Sequence, residues 1–333
     1  MTQTYVLLLN KTVEPNKINE IITRHDFRKD KTQDNVYVWK GQEYTSIKGC
    51  YFCINNNFNL SSYTDEKVAY KMACMSSTPR GHSYDDLEKQ INVLKDIQSI
   101  YGGQIYDPNE NSWGIRENNL PKLSRTEIAW GMEYVDFKVD LNEEMHSIKE
   151  VDMNQVYFDS SIKKYTYPRA LIDNHNIINQ LITLVEKFFK SLFVKYLKTN
   201  QSAYNKFVSD YVDKDRTRKL APQQKFNYHL RDYTFQNLNH IQTAYKKYIN
   251  FDFKKVLDEK LMLQGQALTI EEIIKPILYT RHKKIHENIY DLKLNRAKTL
   301  QHCIAIETFI STFIEKVMES HNYNLLIEYE LMY

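Results

Sequence analysis

The chain has little glycine, little cysteine and no long apolar run. Eight glycines in 333 residues form no phosphate-binding glycine loop, so the sequence gives no support for a nucleotide site of that kind. Four cysteines, unevenly placed, do not make a disulfide framework. The longest early apolar run, Tyr5-Val6-Leu7-Leu8-Leu9, falls far short of the roughly 20 residues that a bilayer requires. It also lacks the basic start and small-residue cleavage site of a signal peptide, and reads as a first β-strand. The expectation is a cytoplasmic protein with no membrane partner. Cys50 and Cys53 form a CxxC inside the strand-like run Gly49–Ile54. A zinc site there needs two more ligands, for which only Cys74 and His82 lie nearby; the competing reading is packed strand cysteines. Cys303 falls on an apolar helix stripe and reads as core.

What is present describes a globular protein: 42% hydrophobic residues and 26% charged ones, over a length that suits two domains. The net charge of +3 conceals an asymmetry, with residues 1–165 at −4 (20 basic, 24 acidic) and the remainder at +7 (25 basic, 18 acidic). A basic second half points to an anionic partner, although plain solvated surfaces carry such excesses too. The 25 tyrosines and 15 phenylalanines could stack on bases, but most fall at core spacing and read as packing.

Strand and helix signals mix over about the first 110 residues. Thr4–Leu9, Val36–Trp39, Cys50–Ile54, Val68–Met75 and Gln104–Tyr106 read as strands. Glu14–His25 reads as a helix with Ile18, Ile21 and Ile22 on one side. Ser83 is a good N-cap for a second helix carrying Leu87, Ile91, Leu94 and Ile97, which Gly102-Gly103 stops. This order suggests a small α+β sandwich, with a ferredoxin-like arrangement as the candidate form. Tyr134–Val139 alternates like a strand and Gln155–Phe158 like another, so residues 111–168 read as strands and loops that complete domain 1–168. A boundary at Tyr167-Pro168 follows from the residue before proline being pushed out of helical conformation.

From Leu171 the texture turns helical. Ile178, Leu181, Val185, Phe188, Leu192 and Tyr196 make one apolar stripe of a long helix. Residues 199–262 carry weaker, more polar helical patterns broken near Ala221-Pro222. Thr269 caps a further helix bent or restarted at Pro276, and a last one runs from about Asn295 to Ser320 with Leu300, Ile304, Phe309, Phe313 and Val317. Domain 169–333 thus reads as a bundle of four or more helices.

One segment is chemically dense: Tyr279-Thr280-Arg281-His282-Lys283-Lys284-Ile285-His286-Glu287-Asn288. Arg281 and His286 lie roughly 140° apart around a helix and border one side, while His282 and His286, four apart, share a face. A histidine can take the proton of a ribose 2′-hydroxyl near neutral pH. An arginine's permanent fork stabilises the charge that gathers on the phosphoryl oxygens, and Lys283 and Lys284 can hold the RNA backbone by charge. No carboxylate cluster for magnesium is apparent nearby, so neither metal nor cofactor is expected. Two other readings stay open: a solvated basic helix face, and a zinc pair at His282 and His286 that lacks an obvious third ligand.

Arg281-His282-x-x-x-His286, set after a kinked helix start and before a long final helix, resembles the motif of the HEPN superfamily. The resemblance covers that motif and about residues 170–320. It implies a HEPN-like bundle, Arg281 and His286 as the catalytic pair, His282 as the supporting polar position, and a homodimer with a composite active site. The activity implied is endoribonucleolytic, in phage defence, toxin–antitoxin or CRISPR-associated settings, with domain 1–168 as a sensor or recruitment module for an antitoxin, activator or ligand. Some family members carry a tyrosine two residues after the histidine, where a nucleotide is attached; here that position is Asn288, and Tyr290 is the nearest candidate for modification. A non-catalytic HEPN-like module that binds RNA or protein is the alternative.

Overall fold

A computed structural model describes residues 2–55, 70–161, 164–212, 219–263 and 266–325. Its contacts divide into two compact units, the first ending at Ile128 and the second running Ala129–Leu325. The division falls about forty residues ahead of the expected boundary at Tyr167-Pro168.

The first unit is a seven-stranded sheet in the order β2-β3-β4-β5-β1-β6-β7, antiparallel throughout. In chain order these are β1 (Gln3–Leu9), α1 (Pro15–Arg24), β2 (Arg28–Lys29), β3 (Val36–Trp39), β4 (Cys50–Asn55), β5 (Met72–Thr78), α2 (Tyr84–Tyr101), β6 (Gln104–Asp107) and β7 (Ser112–Trp113). The inner four strands follow a β-α-β-β-α-β succession with β1 between β5 and β6, and the β2–β3 hairpin widens one edge. Alternation sorts the side chains: Leu7, Phe52, Ile54 and Cys74 face a core shared with Ile18, Ile21 and Ile22 of α1 and with Ile91, Leu94 and Ile97 of α2. Val6, Leu8, Ala73 and Tyr106 form a second buried cluster. The strand placed at Val68–Met75 begins instead at Met72; Val68 and Ala69 lie outside the described residues. Cys50 belongs to the α1/α2 core while Cys53, an odd number of positions on, does not. Among the described residues no three His, Cys, Asp or Glu side chains gather as metal ligands.

Asp86 holds the start of α2. Its buried carboxylate accepts from Ser46 Oγ (2.5 Å), Gly49 N (3.0 Å), Lys48 N (3.1 Å), Ile47 N (3.2 Å) and Ser83 N (2.8 Å). Ser83 Oγ accepts in return from Asp86 N, closing a capping box. Gly49 reaches the carboxylate at φ +73°, where a Cβ would stand 2.3 Å from Trp39 O, so no side chain fits.

The second unit is mainly helical. It comprises α3 (Arg125–His146, whose first turn crosses the division), the hairpin β8 (Tyr157–Asp159) and β9 (Lys164–Thr166), α4 (Arg169–Thr199), α5 (Gln201–Ser209), α6 (Pro222–Asp232), α7 (Leu238–Ala244), α8 (Lys254–Leu257), a second hairpin β10 (Lys260–Leu263) and β11 (Gln266–Thr269), α9 (Ile270–Glu287) and α10 (Arg296–His321). Tyr134–Val139 is therefore helix, not strand. Its buried residues Trp130, Tyr134, Phe137 and Leu141 recur every three or four positions, a period that the short alternating stretch disguises. The β10–β11 hairpin is likewise absent from the sequence reading of residues 199–262. The expected stripe of α4 is buried along its length and meets α10 through Phe188, Phe189, Phe309 and Phe313, whose rings lie 5.0–6.2 Å apart. On α10 the buried face is Cys303, Ile306, Phe309, Ile310, Phe313 and Val317, while Ile304 is exposed. No helix among the described residues is long and apolar enough to cross a membrane.

Candidate active site

The dense segment forms the second half of α9. That helix starts in a capping box: Thr269 Oγ1 accepts from Glu272 N (3.2 Å), and the Glu272 carboxylate accepts from Thr269 N (2.8 Å). Pro276 leaves the helix continuous to Glu287. The helix then stops at Asn288, which takes the left-handed conformation at φ +54°, with its N–H and that of Ile289 turned back to Lys283 O. Asparagine tolerates this conformation better than most L-residues. Asn288, two residues after His286, is thus a helix stop, and most other side chains would be strained in it.

Arg281, His282 and His286 line one open cleft of roughly 550 Å³, together with Gln236, Leu278, Tyr279 and Ile285. The rings of His282 and His286 lie 4.6 Å apart, and both histidines are exposed. Arg281 is deeper. Its Nη1 donates to Glu186 Oε1 of α4 at 2.6 Å, with both side chains about four-fifths buried. Its Nε is buried without a hydrogen-bond partner among the described residues. The cleft therefore combines an anchored cation, with donor capacity to spare, and two solvated imidazoles.

Lys283 and Lys284 do not line this cleft. Lys283 pairs with Glu287 (2.6 Å) and lies over the ring of Tyr279 (5.4 Å). Lys284 donates to Asn288 Oδ1 (2.9 Å) and to the Tyr290 hydroxyl, with its ammonium 3.7 Å from the centre of the Tyr290 ring. Tyr290 is partly buried against Tyr167 (4.4 Å) and His175 (5.0 Å).

The loop after α9 is fastened to α4. His175 Nε2 accepts from Asp291 N (2.9 Å), and Asn174 Nδ2 donates to Leu294 O (3.2 Å) and to Lys149 O (2.9 Å). Burial lowers the pKa of His175, consistent with a neutral ring accepting at Nε2. His302 on α10 is also buried and held down to about 4 by desolvation first and then by Lys298. Glu186, Gln236 and the His175–Asp291 fastening escape sequence reading. Glu186 lies on the polar flank of an apolar stripe, and Gln236 lies in the turn between α6 and α7; neither spacing carries a signal.

Comparisons with protein-family models, with curated proteins and with solved structures give no match.

Proposed function

We propose that the second unit is a HEPN-type, metal-independent endoribonuclease. The observation that carries this reading is the gathering of Arg281, His282 and His286 on one open cleft. His286 takes the proton from a ribose 2′-hydroxyl, and the freed oxygen attacks the adjacent phosphorus. Arg281 then stabilises the charge on the phosphoryl oxygens. The P–O5′ bond breaks with its electrons passing to the 5′-oxygen, which leaves with the proton returned by the His286 imidazolium, so the products are a 2′,3′-cyclic phosphate and a 5′-hydroxyl. His282 supports His286 from the same face. Glu186 is a positioning residue that holds the arginine side chain from α4. Lys283 and Lys284, outside the cleft, contribute charge along the flanking backbone.

The reading carries the rest of the resemblance with it: a homodimer with a composite site, a cytoplasmic defence or toxin role, and a first unit that senses a trigger or recruits a partner. Expression of the protein is then toxic, and Arg281→Ala or His286→Ala relieves the toxicity; equal toxicity of wild type and both variants contradicts the assignment. One observation favours a second reading, a non-catalytic module that binds RNA or protein. The arginine is already ion-paired at 2.6 Å, which reduces the charge it presents to a phosphate. In that case RNA binding falls with salt and no product forms.

A further inference from the structure

His282 and His286 differ from every other histidine of the chain. Of the ten, seven hold a partner at a ring nitrogen, and His302 is buried. These two alone are exposed with neither ring hydrogen-bonded among the described residues. They stand four residues apart on one face of α9, both line the open cleft, and their ring centres are 4.6 Å apart. A divalent cation held at about 2.0–2.1 Å by one nitrogen of each ring sits about 3 Å from each ring centre, which sets the centres roughly 4.5–5 Å apart. The observed separation already meets that requirement, and exposed rings turn freely into line.

We propose that His282 and His286 form a two-imidazole site for a borderline divalent cation of the Zn²⁺ class, and that the bound cation blocks cleavage. The blocking role rests on the ribonuclease reading; the binding does not. Histidines at i and i+4 on one helix face are how the HExxH motif grips zinc, whereas hard cations such as Mg²⁺ prefer oxygen ligands. The flanking positive charges are already matched or turned away: Arg281 pairs with Glu186 and Lys283 with Glu287, while Lys284 lies over Tyr290 outside the cleft. Among the described residues no third His, Cys, Asp or Glu joins the pair, so water completes the shell. Lys283 stands where HExxH carries its glutamate base, so no carboxylate at that position takes a proton from a metal-bound water. The cation instead occupies the single lone pair with which a neutral imidazole accepts the 2′-hydroxyl proton.

The test titrates Zn²⁺, and separately Mg²⁺, into the metal-stripped full chain by calorimetry, beside His282→Ala and His286→Ala. The wild type is expected to bind Zn²⁺ and not Mg²⁺. Each variant is expected to bind Zn²⁺ about tenfold or more weakly, since even outer-shell losses cost about that much. Both side chains are exposed, and circular dichroism checks that the variants keep their helices. Saturating Zn²⁺ then raises the Tm of the wild type more than that of either variant. Equal Zn²⁺ affinity in the wild type and both variants overturns the proposal, as does Mg²⁺ binding as tight as Zn²⁺. RNA cleavage undiminished at saturating Zn²⁺ overturns the blocking role. Failure of the ribonuclease reading looks different: RNA stays uncut in EDTA while Zn²⁺ still binds through the two imidazoles.

Discussion

Glu186 and Arg281 offer the sharpest energetic test of how the cleft is built. Two unit charges about 4 Å apart attract by about 4 kcal/mol at an effective dielectric near 20, and desolvation offsets most of that. What Glu186→Ala exposes is therefore chiefly the cost of stranding the arginine, whose Nε already lacks a partner among the described residues. Breaking a fully buried pair costs roughly 3–5 kcal/mol. These side chains retain 17% and 19% exposure, so water softens the loss to about 2–3 kcal/mol. For a unit of this size that corresponds to a fall of about 5–10 °C in Tm, read by far-UV circular dichroism of the helical signal. Glu186→Ala/Arg281→Ala removes both charges, and is expected to lose little more than Glu186→Ala alone, giving a coupling of about 2 kcal/mol. Additive losses, or a Tm change under about 2 °C for Glu186→Ala, refute the claim that this pair fixes the arginine.

Two further outcomes test the frame around the site. Asp86→Ala strands donors from Ser46, Ile47, Lys48, Gly49 and Ser83 and removes a capping box, a loss of about 3 kcal/mol or more to the first unit; a chemical-denaturation midpoint within error of wild type contradicts that role. The buried His302, held near 4, lies below the ordinary imidazole value of about 6.5, so the unfolded chain takes up its proton first as pH falls. Its contribution is present above about pH 6.5 and is lost progressively toward pH 4, by about 3 kcal/mol in all, with His175 shifted in the same direction. Thermal unfolding followed between pH 7.5 and 5 shows the decline, and His302→Gln flattens it; identical pH profiles for the two proteins overturn the assignment.

Much of the frame was legible because local chemistry and tertiary packing agree. Ser83, Thr269 and Asn295 read as helix starts, and each side chain accepts from a first-turn N–H. The α4 stripe was legible because a helix of 31 residues repeats its period many times. Tyr134–Val139 misled because six residues sample less than two turns, and their polar and apolar types happen to alternate. The division at Ile128 was hidden for the same reason: with α3 read as strand, residues 129–168 had no helix to join to the bundle. At the site, Arg281, His282 and His286 stood out as residue types at a spacing, and a lone glutamate on α4 could not. One strand of the β8–β9 hairpin was legible, since Gln155–Phe158 reads as a strand and overlaps β8 (Tyr157–Asp159). The exposure of Phe158 and Tyr165 was not, because identity alone does not set them apart from the many aromatic residues at core spacing.

The most direct test of the central claim is incubation of the purified protein with total RNA and with tRNA in EDTA, beside His286→Ala, with the product ends identified. The account predicts cleavage by the wild type alone, leaving 2′,3′-cyclic phosphate and 5′-hydroxyl ends. Undiminished cleavage by His286→Ala, or 3′-hydroxyl products that appear only with added divalent metal, contradicts it.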